Sequence, residues 1–148
     1  MATVAHELSF EQKLDQLARV AIEVGLGLAR GQELVMTAPL DAVPLARRIT
    51  EQAYRAGASL VTTLYSDDEA LLARFRYAPD EAGDKAAGWL YDGMGAAYRS
   101  GAARLAITGA SPLLLSSQDP SKVGRANRAI SKVYRPALEL IPRHEINW

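Results

Sequence analysis

Apolar and polar positions alternate along this chain in two distinct rhythms. From Phe10, the apolar residues Phe10, Leu14, Leu17, Ala21, Val24 and Leu28 recur at steps of four and three, the spacing of a helix with one apolar stripe. Ser9 and Gln12 stand at capping-box spacing in front of it, so the hydroxyl can accept from the third helical N–H while the amide reaches back. Gly25, Gly27 and Gly31 then loosen the pattern. Glu33–Ala38 (ELVMTA) is a short apolar run that reads as a buried parallel strand. Asp41 is the expected N-cap of the next helix, with Pro44 in its first turn, Leu45, Ile49, Ala53 and Ala56 on one face, and Gly57 at the left-handed stop. Leu60–Tyr65 (LVTTLY) is β-branched and apolar, hence a second strand. Strand, crossover helix, strand implies parallel pairing.

Beyond this unit the pattern predicts a short helix opened by Asp67 and Asp68 and ending near Arg76. A polar break follows over Pro79–Asp84. A helix then runs from Asp84 or Lys85 to about Ser100, with Trp89, Leu90, Met94 and Ala97 inward, and Gly101 stops it. Ala103–Thr108 (ARLAIT) reads as a third strand and Gly109–Gln118 as a loop. Asp119-Pro120 is an N-cap followed by proline at the first helical position. The helix after it places Val123, Ala126, Ile130, Val133, Ala137 and Ile141 on one face, and Pro136 should kink or divide it. Glu145–Trp148 reads as the opening of a fourth strand. The expected class is therefore α/β: a three-layer sandwich with a mainly parallel sheet, residues 1–148 forming one domain that stops at a strand.

Composition narrows the chemistry. The chain has 148 residues, 49 % of them apolar, which argues for a packed core and against disorder. Lys plus Arg (17) equals Asp plus Glu (17), so no general field attracts nucleic acid or an anionic membrane. The sequence contains no cysteine; disulfides, thiolate metal sites and Cys nucleophiles are excluded. No basic segment followed by an apolar run opens the chain, and no uncharged apolar stretch approaches the roughly 20 residues of a membrane span.

Each local motif has a plain structural reading. Gly25-Leu26-Gly27 and Gly93-Met94-Gly95 begin like a dinucleotide fingerprint, but neither has the third glycine between a strand and a helix. His6 and His144 each adjoin a glutamate without the i,i+4 spacing of a zinc helix. Asp67-Asp68-Glu69 follows a strand end, where α/β ligands bind, yet acidic residues also complement a helix N-terminus. Lys122, Arg125, Arg128, Lys132 and Arg135 form a basic stripe opposite the Val123/Ile130/Val133 face, at roughly 100° per residue; no aromatic interleaves to stack a base. Ser111, Ser116, Ser117 and Ser121 crowd one loop with no histidine placed as a base. The loops after the strands carry Asp67, Asp68, Thr108, Gly109 and Ser111 at the end of the sheet where α/β folds bind ligands.

Several phrases, taken in order, resemble one enzyme family: Phe10–Leu17 (FEQKLDQL), VGLGLARGQELVMTAP ending at Pro39, Leu45–Gly57 (LARRITEQAYRAG), Leu64–Asp68 (LYSDD), and Gly124–Lys132 (GRANRAISK) leading to Ile146-Asn147-Trp148. They resemble the N-terminal part of the thermophilic-type metalloaminopeptidases, the aminopeptidase T family. The resemblance implies a cytoplasmic, homodimeric exopeptidase that removes N-terminal residues from peptides. It also implies two divalent ions of zinc or cobalt type, which activate a water. The family's carboxylate, His and Tyr site residues lie in a later domain and match nothing in Met1–Trp148. The expectation is a non-catalytic, cleft-supporting domain that is inactive alone, holds no cofactor itself and self-associates, with the missing catalytic domain as its partner. A stand-alone ligand-binding module at the strand ends, or a protein-interaction domain using the basic helix, is the competing reading.

Overall fold

A computed structural model describes residues 8–109, 111–143 and 145–148; His6 and His144 lie outside them. The elements are α1 (Phe10–Val20), β1 (Glu33–Pro39), α2 (Val43–Arg55), β2 (Leu60–Ser66), α3 (Asp68–Tyr77), α4 (Gly88–Arg99), β3 (Ala103–Ala106) and α5 (Pro120–Leu138). The sheet has the order β2-β1-β3 and is parallel throughout. Glu33 of β1 lies opposite Leu60 of β2, and Leu34 of β1 opposite Ala103 of β3.

Alternation along the central strand builds two cores. Leu34, Met36 and Ala38 pack with Ala18, Ile22 and Leu26 and with Ala46, Ile49 and Ala53 of α2. Val35, on the other face, packs with Met94 and Tyr98 of α4, Ala137 of α5, Leu140 and Ile146. Helices on both faces of a parallel sheet make the three layers expected from the sequence.

Two helices end in the same way. Ala58 N–H bonds Ala53 C=O and Gly57 N–H bonds Tyr54 C=O; likewise Ala102 bonds Ala97 and Gly101 bonds Tyr98. Gly57 (φ +99°) and Gly101 (φ +94°) occupy the left-handed position of this motif. Each turn delivers the chain within three residues to β2 or β3, one on either side of β1.

Several expectations are corrected. On α1 the inward residues are Leu14, Ala18, Ile22 and Leu26, while Phe10 (70 %), Leu17 (52 %) and Val24 (76 %) face outward. From Ala21 onward the cause is a π-helical segment, Ala21–Leu26, that continues α1, with Gly27 N–H bonding Ile22 C=O. A π turn holds more residues than an α turn, so strict steps of four stay on one face and the three-four stripe rotates away.

Asp41 does not cap α2. Leu40–Ala42 form a 3₁₀ turn, and Ala42 precedes the helix with no side-chain bond. An Asp41 cap would have required the N–H of residue 43 or 44, and Pro44 has none. The helix expected from Asp84 starts at Gly88, because Asp80–Asp84 form a 3₁₀ turn of their own. Within α4, Trp89 points outward (78 % exposed), and Tyr98 takes the core place at 2 %. β3 stops at Ala106 rather than Thr108: Ile107 N–H makes one more bond, to Thr37 C=O, and β1 runs out at Pro39. α5 is not divided at Pro136 and continues to Leu138. Glu145–Trp148 is not a strand; one backbone bond, Arg104 N–H to Asn147 C=O, holds it beside β3.

Candidate functional site

The strands are parallel, so their carboxyl ends lie together, the end at which open α/β sheets bind ligands. Asp67 and Asp68 follow β2; Thr108, Gly109 and Ser111 follow β3. β1 lies between, so at a strand spacing of about 4.8 Å the two groups are roughly 10 Å apart. The structure thus gathers the five residues at one end of the sheet as two clusters on either side of Pro39.

Two of the five side chains, those of Asp67 and Ser111, are engaged in local folding. Asp67 caps α3, its Oδ1 accepting from Glu69 N–H at 2.9 Å and Ala70 N–H at 3.4 Å. Ser111 Oγ accepts from Leu113 N–H at 3.3 Å, and Ser116 Oγ donates to Leu113 C=O at 2.8 Å. The serine cluster builds turns. Thr108 and Gly109 are exposed, and Asp68 is half-buried. Among the described residues, no three His, Cys, Asp or Glu side chains converge to hold a metal ion. The donors among the described residues therefore do not fit a di-metal centre. No described helix is long and apolar enough to cross a membrane.

Part of the basic stripe has a structural task. Arg125 Nη2 donates to Asp80 C=O at 2.6 Å and Nη1 to Asp80 Oδ2 at 3.1 Å. Lys122 Nζ lies 3.5 Å from Asp80 Oδ1. Arg74 Nη2 closes the same turn from the other side, donating to Ala82 C=O at 2.8 Å and Lys85 C=O at 2.6 Å. The hydrogen bond from Arg125, then its charge, hold the Asp80 carboxyl below the usual carboxylate range. Arg128, Lys132 and Arg135 remain exposed.

Two of the paired glycines have a structural role, Gly27 as a helix stop and Gly95 in packing. Gly27 (φ +58°) ends the π segment. A Cβ on Gly95 would meet Ala137 Cβ at 3.3 Å, so that glycine lets α4 and α5 approach. Behind this contact the rings of Tyr91 and Tyr134 lie 4.7 Å apart at 39°. Burial, then Tyr134, pushes the Tyr98 phenol above its ordinary value.

Sequence reasoning missed the most connected polar pair. Gln32 Nε2 donates to Asn147 Oδ1 at 3.0 Å and to Gly101 C=O at 2.8 Å, and Gln32 Oε1 accepts from Ala29 N–H at 3.0 Å. Asn147 Nδ2 faces Leu26 C=O and Gly27 C=O at 3.2 Å each, and Gln32 Oε1 at 3.3 Å. This pair ties the end of the first helix, the entry to β1, the start of β3 and the segment at Asn147 at the amino end of the sheet.

A model of the thermophilic metalloprotease (M29) family matches residues 10–148. This chain belongs to that family. Aminopeptidase T of Thermus thermophilus is 49 % identical over 140 residues, 95 % of this chain and 34 % of that protein. Aminopeptidase AmpS of Bacillus subtilis is 31 % identical over 140 residues, again 34 % of its length. The solved structure of wild-type AmpT from Thermus thermophilus superposes on 95 % of this chain and 35 % of that chain with a TM-score of 0.91. The M29 chain described here thus spans about a third of the length of the relatives it matches. That near-complete superposition includes the α/β/α layers and the parallel order described above.

Proposed function

We propose that this chain is the N-terminal, non-catalytic domain of a metal-dependent aminopeptidase that removes N-terminal residues from peptides. The observation that carries the reading is the 49 % identity with Aminopeptidase T across nearly the whole chain, confined to a third of that protein. The missing two thirds is the partner. It supplies the residues for two divalent ions, of zinc or cobalt type, and the peptide's reacting end. In the parent, a cytoplasmic homodimer, this domain forms one wall of the substrate cleft. Asp67, Asp68, Thr108, Gly109 and Ser111 face that cleft from the carboxyl end of the sheet.

The test is a continuous assay of the purified chain on aminoacyl-p-nitroanilides with Co²⁺ or Zn²⁺. No metal-dependent release is expected. Turnover that co-purifies with the chain and is abolished by chelation refutes a purely supporting role.

A further inference from the structure

We propose that the groove between β2 and α4 holds the amino-terminal end of an apolar peptide, with the peptide's α-ammonium on Glu33. The chain passes from β2 to β3 across β1, so α4 lies over β1 and leaves that face of β2 open. Thr62 there is exposed and Leu64 half-buried. The result is a groove of about 300 Å³, its floor Glu33 and Val35 of β1 beside Thr62 and Leu64 of β2, its wall α4 from Trp89 to Ala97. That volume suits a small ligand, and its length suits a short extended chain. Val35 pairs with Thr62 and Thr37 with Leu64, so Glu33 lies about 13 Å from the level of Leu64 at roughly 3.3 Å per residue. Along the wall, Trp89 to Ala97 spans about 12 Å at roughly 1.5 Å per residue. About four residues of an extended peptide fill that length.

Charge chooses the ligand and its direction. Glu33 is the one charged side chain lining the groove. It is exposed, and among the described residues no ion pair or hydrogen bond engages its carboxylate. The last turn of α4 comes beside it at Ala97, so the negative end of the helix dipole adds to the carboxylate. The cations at this end of the sheet are placed elsewhere: Arg55 pairs with Glu51, Arg30 lies against Gly57, and Arg99 lies against Gly95. An ammonium is the group that satisfies this end. A second cavity of about 170 Å³, lined by Ser59, Ser100 and Gly101, adjoins through Glu33 and Ala97 and leaves room for the ammonium's water. At the far end Trp89 offers an apolar ring to the peptide's side chains, and the Thr62 hydroxyl, bonded to no described residue, is available to a peptide unit. That the ligand is a peptide rests on the aminopeptidase reading, in which free peptide amino termini are both consumed and produced; the groove and its charge do not depend on it.

NMR titration of the 148-residue chain with Leu-Leu-Leu amide tests it, read at the Trp89 indole and at the Thr62, Leu64 and Gly93 amides. Glu33→Gln and Trp89→Ala are the variants, with circular dichroism as the check on folding. The expected result is saturable shifts at those positions with a Kd of about 1 mM. N-acetyl-Leu-Leu-Leu amide should bind roughly fivefold more weakly, since an exposed ion pair is lost. Glu33→Gln should abolish that preference without changing the binding of the acetylated peptide, and Trp89→Ala should weaken both peptides alike. The proposal is overturned by no saturation up to about 10 mM, by equal binding of free and acetylated peptide, or by a preference that survives in folded Glu33→Gln. It is also overturned if N-acetyl-Lys-Leu-Leu amide binds as tightly as the free peptide, which would assign the site to a lysine side chain. No readout uses catalysis, so failure here leaves the aminopeptidase reading to its own assay.

Discussion

Replacing Asn147 by alanine should cost more stability than any other single polar substitution near the amino end of the sheet. The Asn147 amide faces Leu26 and Gly27 carbonyls at 3.2 Å and Gln32 Oε1 at 3.3 Å, and accepts from Gln32 at 3.0 Å. Leu26 and Gly27 belong to a helix end, where carbonyls have no intrahelical donor. A net hydrogen bond is worth about 1 kcal/mol, and a part-buried group left without its partner about 1–3 kcal/mol. The bonds to Gly27 and within the amide pair are weakened by bifurcation and partial exposure. We therefore expect a loss of about 2–3 kcal/mol, or roughly 6–9 °C in Tm for a chain of this size. Asn147→Asp should cost at least as much, because it removes the donor and sets a carboxylate against carbonyl oxygens. A double-mutant cycle with Gln32→Ala should give a coupling of about 0.5 kcal/mol or more. Thermal and urea unfolding read all of this. A Tm for Asn147→Ala within about 2 °C of the parent refutes the tie between Asn147 and the sheet entrance.

Three further outcomes are expected. Gly57→Ala should destabilise by about 1–2 kcal/mol in urea unfolding, since φ is +99° and the new Cβ would meet Arg30 Cγ at 2.9 Å; an unchanged midpoint would contradict the turn geometry. Asp67→Ala should cost about 1 kcal/mol by removing the cap of α3, and Asp67→Asn should restore most of it. The Asp80 carboxyl, held low by Arg125, should titrate by NMR below ordinary carboxylates and rise toward them in Arg125→Gln. A depressed native pKa means that this clasp stabilises above the ordinary carboxylate range and is lost as pH falls through the native value; a titration unmoved by the substitution would contradict the clasp.

Local chemistry made much of the fold readable from the chain. The capping box at Ser9 and Gln12, the Asp67 and Asp119 caps, Pro120 at the start of α5 and the glycine stops at Gly57 and Gly101 each act within a few residues. The two apolar runs were recognisable as parallel strands because a crossover helix separates them. What failed depended on distant partners. The inward face of α1 turned on a π segment that periodicity assumes away. Trp89, expected inward, faces out and Tyr98 fills the core, because no local rule says which aromatic of α4 is buried. Gln32 and Asn147 meet across 115 positions with no pattern to link them. The five candidate residues were placeable at strand ends from order alone, but that Asp67 and Ser111 are engaged in turns emerged only from their hydrogen bonds.

The most direct measurement is reconstitution. This chain is mixed or co-expressed with the remaining two thirds of Thermus thermophilus Aminopeptidase T, and aminoacyl-p-nitroanilide turnover is followed with Co²⁺ or Zn²⁺ added. The account predicts turnover only when both pieces are present. Metal-dependent turnover by this chain alone, or full activity of the folded remainder without it, would contradict the account.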